Sequence, residues 1–95
     1  MYTRVVRFTG VDAERMKALN ERIEADGGPP PGVELASLVV LFDESQGTAV
    51  VLQHFASAEA MQSADKIFGA MDAGETPGTR ASVDMCEVEL ELKGP

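Results

Sequence analysis

Residues 33–55 read VELASLVVLFDESQGTAVVLQHF, and this stretch decides the fold. The runs 33–42 and 48–55 are rich in β-branched and other aliphatic residues, a composition that favours strands. The five residues between them, DESQG, end in Gly47 and are typical of a hairpin turn. We therefore predict two antiparallel strands joined by a short turn.

The chain before this hairpin predicts a strand followed by a helix. Residues 2–9 form another β-type run, which stops at Gly10. From Asp12, a suitable N-cap, apolar residues recur at helical spacing: Met16, Leu19 and Ile23. The segment GGPPPG, residues 27–32, ends this helix because proline lacks a backbone donor and disfavours helical geometry in the residue before it.

The chain after the hairpin also predicts a helix and then a strand. Ser57 is a candidate N-cap for a second helix that ends near Gly74. The apolar residues of this helix again recur at helical spacing; they are Met61, Ala64, Phe68 and Met71. A loop through residues 76–78 then leads to a long last strand, residues 80–92.

The resulting order, βαββαβ, predicts an α+β fold of the ferredoxin-like type. Such a fold has a four-stranded antiparallel sheet with two helices on one face. We expect residues 1–95 to form one domain, because 95 residues are too few for two independent cores.

The central strands are apolar on both faces, which predicts self-association. In the second strand, one face carries Leu35, Val39 and Leu41, and the other carries Ala36, Leu38, Val40 and Phe42. Two helices cover only one face of a sheet, and soluble monomers rarely expose a large apolar patch. We therefore predict a homodimer in which the sheet faces of two copies pack around a two-fold axis and enclose a barrel.

The last predicted strand changes its pattern along its length. Val83 and Met85 share one face, whereas Cys86 begins an apolar row on the other face that continues to Leu92. Both faces are apolar at Met85 and Cys86, which indicates either a β-bulge or a passage from a doubly buried to a half-exposed environment. We expect Cys86 to be a buried, unreactive thiol, since no cationic residue lies near it in sequence.

Charge and composition exclude several classes of protein. The chain has 8 basic and 16 acidic residues without a basic cluster, which argues against binding to nucleic acid or an anionic membrane. A single cysteine cannot form an internal disulfide, and no Cys/His spacing suits a metal. No apolar run approaches the roughly 20 residues of a membrane span, and Met1 leads directly into a strand pattern rather than a signal peptide. We therefore expect a cytoplasmic protein.

The passage from the third strand into the second helix resembles a known family. GTAVV at residues 47–51, followed by FASAEA at 55–60, is similar to the dimeric α+β barrel superfamily, and within it to the antibiotic biosynthesis monooxygenase-like domains. In that family an aromatic residue, usually Trp, precedes a helix capped by Ser or Asp. The resemblance implies a homodimer with a cavity between the sheet and the helices of each subunit, where a hydrophobic ligand binds.

Family members differ in activity, and the chain departs from them at three positions, one of which is Val51, near the place where oxygenase members carry an Asn on the third strand. Known activities include cofactor-free oxygenation of aromatic polyketides, haem degradation and quinone-related chemistry, and many members have none assigned. Phe55 stands at the usual Trp position, and the second helix lacks the His of haem-degrading members. The resemblance therefore implies no cofactor, and at most a cofactor-independent monooxygenase-like or isomerase-like enzyme.

A few polar and aromatic residues are candidates for the ligand site. Arg4 and Tyr2 share one face of the first strand, and we predict that they form the polar edge of a pocket with Gln53 and Phe55. An arginine there has three outcomes: it holds an anionic ligand group, pairs with a carboxylate, or snorkels to the sheet margin. His54 is a weak candidate for a catalytic base, against a structural role.

Two functions remain open from the sequence alone. In the favoured one, a small, mainly apolar molecule binds in the cavity of each subunit, with cofactor-free monooxygenase-like activity as an extension. In the alternative, the chain is a non-catalytic homodimerisation module whose cavity is filled by its own Met, Phe and Leu side chains. An empty cavity favours ligand binding, and a packed interior favours the module.

Overall fold

In a computed structural model, which describes residues 1–70 and 76–95, the secondary structure follows the predicted βαββαβ order. The elements are β1 (Tyr2–Thr9), α1 (Ala13–Asp26), β2 (Ser37–Asp43), β3 (Thr48–Phe55), α2 (Ala58–Gly69) and β4 (Thr79–Glu87).

The four strands form one antiparallel sheet in the order β2-β3-β1-β4. Residues 4, 6 and 8 of β1 are buried and point toward the helices, as do residues 49, 51, 53 and 55 of β3. Met16 of α1 belongs to the same buried cluster as Val6 and Phe8, and Met61 of α2 packs with Phe55. Both helices therefore cover the same face, and the predicted ferredoxin-like α+β fold is confirmed.

The helices begin where the sequence predicts. The Asp12 side chain accepts a hydrogen bond from Arg15 N at 2.8 Å, and Ser57 Oγ accepts one from Ala60 N at 3.1 Å. Both contacts satisfy an amide that the first helical turn leaves without a partner. Gly27 ends α1 at φ 69°, in the left-handed region that glycine adopts without strain. The predicted helix position of Met71 and the predicted end near Gly74 lie outside the described residues.

Strands β2 and β4 are shorter than predicted because each ends where the strand paired with it ends. Strand β2 begins at Ser37 rather than residue 33, since its only partner, β3, ends at Phe55 just beyond the Ser37–His54 pair. Strand β4 ends at Glu87 rather than residue 92, since β1 begins at Tyr2, the residue opposite Glu87. Alternation therefore does not extend to Leu35, which packs in the cluster of Phe55 and not with Val39 and Leu41.

The bulge in β4 lies near the start of the strand. Its pairing with β1 shifts between Arg7 and Phe8, which face Ser82 and Arg80 and leave Ala81 as the extra residue. Pairing is regular at Met85 and Cys86, where the sequence pattern suggested either a bulge or a change of environment. The expectation of a buried thiol is wrong: Cys86 is exposed, because β4 is an edge strand and no helix covers its face of the sheet.

The sheet face opposite the helices is apolar and uncovered in the single chain. Val39 and Leu41 of β2 are 41% and 49% exposed, and Val50 and Leu52 of β3 are half-buried. Residue Val5 of β1 pairs with Leu52 and continues the row across the sheet. We call these five residues the open face.

The β2–β3 turn is held by one carboxylate. Asp43 accepts hydrogen bonds from Ser45 Oγ at 2.6 Å and from Gln46 Nε2 at 2.7 Å. Because these bonds stabilise the charged form, they lower the pKa of Asp43 below its ordinary value. Gly47 then closes the turn at φ 65°.

Gly78 leaves no room for a side chain where the loop enters β4. A Cβ atom at this position would collide with the backbone oxygen of Thr9 and lie 3.0 Å from Val11 Cγ2. We expect Gly78→Ala to lower the free energy of unfolding by about 1–3 kcal/mol, as overpacking does elsewhere.

Urea unfolding of the variant at fixed protein concentration measures this loss. Gly69→Ala is the matched control, since a Cβ atom added at Gly69 would have nothing within 4 Å and this residue ends α2. Alanine there is expected to stabilise by about 0.5–1 kcal/mol through helix propensity. Equal effects of the two substitutions would contradict the close packing at Gly78.

Candidate ligand-binding cavity

A cavity of about 350 Å³ lies between the sheet and the helices. All four strands and both helices contribute to its wall, and the proline-rich connector forms part of its rim. The described apolar residues in the wall are Val6, Phe8, Leu19, Ile23, Pro29, Pro30, Leu35, Leu38, Val51, Phe68 and Pro77. The volume falls in the range of about 300–1,000 Å³ that small-molecule sites occupy.

Arg4 is the buried charged residue in this wall. Only 2% of its surface is exposed, and its Nε donates to Oδ1 of Asp65 on α2 at 2.8 Å. The guanidinium carbon also lies 5.5 Å from the centre of the Phe68 ring, within the range of a cation–π contact. Of the outcomes considered for this arginine, the structure shows pairing with a carboxylate, and its burial excludes snorkelling to the sheet margin.

Gln53 lies beside Arg4 and is also buried. Arg4 Nη1 donates to Gln53 Oε1 at 3.0 Å, because the two residues face each other across β1 and β3. An arginine is only a donor, so this contact fixes the orientation of the amide and turns Gln53 Nε2 away from Arg4. Both residues line the cavity.

Tyr2 and Phe55, the other two residues predicted for the site, lie next to the cavity but do not line it. Both pack in the cluster of Met61 and Ala64, and Phe55 is completely buried. Their strand positions are those the sequence predicts, but α2 fills the space in front of them.

His54 lies on the opposite side of the sheet from the cavity. Strand alternation places it on the face that the helices do not cover, where its Nδ1 is 2.9 Å from Thr3 Oγ1. Arg7 is exposed on that same face. The structure therefore gives His54 a hydrogen bond with Thr3, and His54 is not among the described residues that line the cavity.

Asp65 is the main residue of this group that the sequence did not indicate. It is separated from Arg4 by 61 residues and occupies a helix position among other charged and small residues. The one sequence signal for an acidic partner was Arg4, because a buried arginine requires a partner. The helix pattern placed Phe68 in the core, and the structure places it in the cavity wall.

Metal-binding groups are scarce near the cavity. In residues 1–70 and 76–95 no cluster of His, Cys, Asp and Glu has the geometry to hold a metal ion. The cavity wall, as far as it is described, contains no His, Cys, Met or Tyr. Within the same residues, no helix has both the length and the apolar character needed to cross a membrane.

Comparison with known proteins supports the fold. No protein-family model matches the chain, and no curated protein matches it in sequence. Among solved structures, the chain is similar to the crystal structure of a MhuD mutant with two manganese protoporphyrin IX molecules bound per active site. The TM-score is 0.61 at 17% identity, over 99% of this chain and 100% of that one.

This similarity covers nearly the whole chain and confirms the ferredoxin-like βαββαβ fold. At 17% identity it is a similarity of fold. A shared fold does not determine activity, which depends on the residues of the cavity.

Proposed function

We propose that this chain forms a homodimer and binds a small, mainly apolar molecule in the cavity of each subunit. The cavity of about 350 Å³ carries this proposal. It combines a largely apolar wall with a few fixed polar groups, the usual composition of a small-molecule site. Arg4 and Gln53 supply those polar groups from two adjacent strands.

The open cavity favours ligand binding over the filled module. Met16 and Met61 are buried in the two core clusters, and neither side chain lines the cavity. The space that a filled module would close with its own side chains is therefore open among the described residues.

The open face supports the homodimer. Val39, Leu41 and their neighbours form a continuous apolar surface that a second copy would cover. Beyond the end of β4 at Glu87, Leu90 and Leu92 are 77% and 83% exposed, so this segment adds to the apolar surface that a second copy would cover.

A two-fold axis parallel to the strands fits this arrangement. It would place β4 of one copy beside β2 of the other in antiparallel directions, because β2 and β4 are the two edges of the sheet and run in opposite directions. The free edges would then close a barrel between the two sheets.

The ligand bound in the MhuD structure supports a cavity that accepts a small molecule, but a metalloporphyrin does not fit the residues of this chain. Metalloporphyrins are held in proteins by an axial His, Cys, Met or Tyr. None of these is present in the described part of the cavity wall, and His54 lies across the sheet. The proposal is therefore for a metal-free organic ligand.

Filling the cavity tests the proposal. We expect 2-acetylnaphthalene to bind the wild-type protein and Leu38→Trp to weaken that binding at least tenfold, because Leu38 lines the cavity and the indole would occupy it. Isothermal titration calorimetry measures the affinity, and native mass spectrometry of the purified protein reports the mass and any ligand retained from the cell.

Ala18→Trp is the matched control, since it adds the same ring to the exposed side of α1. It is expected to bind the probe like the wild type. Failure of the wild type to bind, or equal binding by both tryptophan variants, would contradict ligand binding in this cavity.

A further inference from the structure

We propose that the Arg4–Gln53 side of the cavity selects a ligand with a neutral carbonyl oxygen over one with a carboxylate. This rests on the proposed function, since it describes the chemistry of the same cavity. Three features carry it: the compensated charge of Arg4, the orientation of the Gln53 amide and the size of the space.

The charge of Arg4 is already balanced inside the protein. Asp65 Oδ1 accepts from Arg4 Nε at 2.8 Å, and the arginine is 2% exposed. Asp65 is 38% exposed, so water reaches the carboxylate from outside while the guanidinium stays in the wall. A second carboxylate, brought in by a ligand, would lose its hydration and meet a cation that already has an anionic partner.

The hydrogen-bonding groups left over are donors. Gln53 Oε1 is taken by Arg4, so the amide offers its Nε2 protons. Among the described residues, every fully buried side-chain nitrogen and oxygen has a hydrogen-bond partner, and the side-chain hydrogen bond that the structure shows for Gln53 is the one accepted by its Oε1. This nitrogen therefore borders open space, and Gln53 lines the cavity. A ligand oxygen with lone pairs and no proton is the complementary group.

The other cations of the cavity wall are at its mouth. Arg22 and Arg80 are both exposed, and the carboxylate of Asp26 lies on the same wall. Charges in contact with water are strongly screened and contribute little to binding an anion. The buried Arg4–Gln53 pair is thus the group that discriminates between ligand oxygens.

The volume sets the size of the ligand. A cavity of about 150 Å³ accommodates benzene, so a space of about 350 Å³ suits a fused two-ring compound. Phe68 and the aliphatic wall would contact the rings while the carbonyl oxygen accepts from Gln53 Nε2.

Three naphthalenes of nearly equal shape test the selection by calorimetry: 2-acetylnaphthalene, 2-isopropenylnaphthalene and 2-naphthoate. The first carries a neutral carbonyl, the second replaces its oxygen with CH₂, and the third replaces its methyl with a charged oxygen. We expect the ketone to bind about tenfold more tightly than either analogue, the gain of one buried hydrogen bond without a buried charge. Equal binding of ketone and alkene, or tighter binding of the naphthoate, would overturn the inference.

Two substitutions identify the groups responsible. Asp65→Asn removes the compensating charge and is expected to raise naphthoate affinity about tenfold while ketone affinity changes less than threefold. Gln53→Glu keeps an acceptor for Arg4 but removes the donor, and is expected to bring the ketone to the affinity of the alkene. Glu59→Gln, on the exposed side of α2, is the control and should leave all three affinities unchanged.

The outcomes separate the two proposals. If none of the three naphthalenes binds, the proposed function itself fails. If all three bind equally, the cavity binds ligands and the selection fails. Should Asp65→Asn not fold, the wild-type ratios and the Gln53→Glu variant still decide the question.

Discussion

Replacing Phe55 with alanine is expected to lower the free energy of unfolding by about 3–5 kcal/mol, the range for large aromatic side chains in cores. Phe55 is 0% exposed, and its ring is surrounded by Val33, Met61 and Ala64. Alanine would leave a cavity among these side chains. The loss is a large fraction of the roughly 5–15 kcal/mol that stabilises a typical domain.

Urea unfolding followed by circular dichroism at fixed protein concentration measures the change. Phe42→Ala is the control, because Phe42 lies on the edge strand β2 and is only half-buried. Phe42→Ala is expected to lower the free energy of unfolding clearly less than Phe55→Ala.

Phe55→Leu should keep most of the stability and bind 2-acetylnaphthalene like the wild type, since Phe55 does not line the cavity. A loss of binding without a loss of stability would instead make Phe55 a ligand contact.

The fold was predictable because its signals are local. Strand composition, the turn ending in Gly47 and the caps Asp12 and Ser57 each act within a few residues of their position in the chain. The ends of β2 and β4 were not predictable in the same way. Each strand stops where its neighbour stops, and the identity of that neighbour is set by the sheet order and not by the local sequence.

The cavity was predictable only in part, for a related reason. Alternation grouped Arg4 with Tyr2 on β1 and Gln53 with Phe55 on β3, but it did not decide which face of β1 the helices cover; the structure places Arg4 and Gln53 on the covered side. Whether a residue on that side meets a cavity or a helix depends on where α2 lies, and this separates Gln53 from Phe55, two positions further along the strand. Asp65 was missed because an ion pair across 61 residues leaves no periodic pattern.

Leu41→Lys is expected to convert the proposed homodimer into a monomer. Leu41 is 49% exposed in the single chain, so a lysine there has access to water and should cost the isolated subunit little. In a dimer that buries the open face, the ammonium group would be covered in both copies. A loss of about 2 kcal/mol per copy, typical of a central interface residue, would weaken association by about a thousandfold.

Lysine is the informative choice because the chain carries a net charge of -8. Two such chains repel each other, and adding a positive charge reduces that repulsion, so dissociation of Leu41→Lys would have to come from the buried face. Ala18→Lys makes the same charge change on the exposed side of α1 and should leave the mass of the assembly in solution unchanged.

Sedimentation at micromolar concentration is expected to give twice the chain mass of 10.1 kDa for the wild type and the control, and one chain mass for Leu41→Lys. A wild type with one chain mass would mean that the open face is not a homodimer interface, and a dimeric Leu41→Lys would place the interface elsewhere.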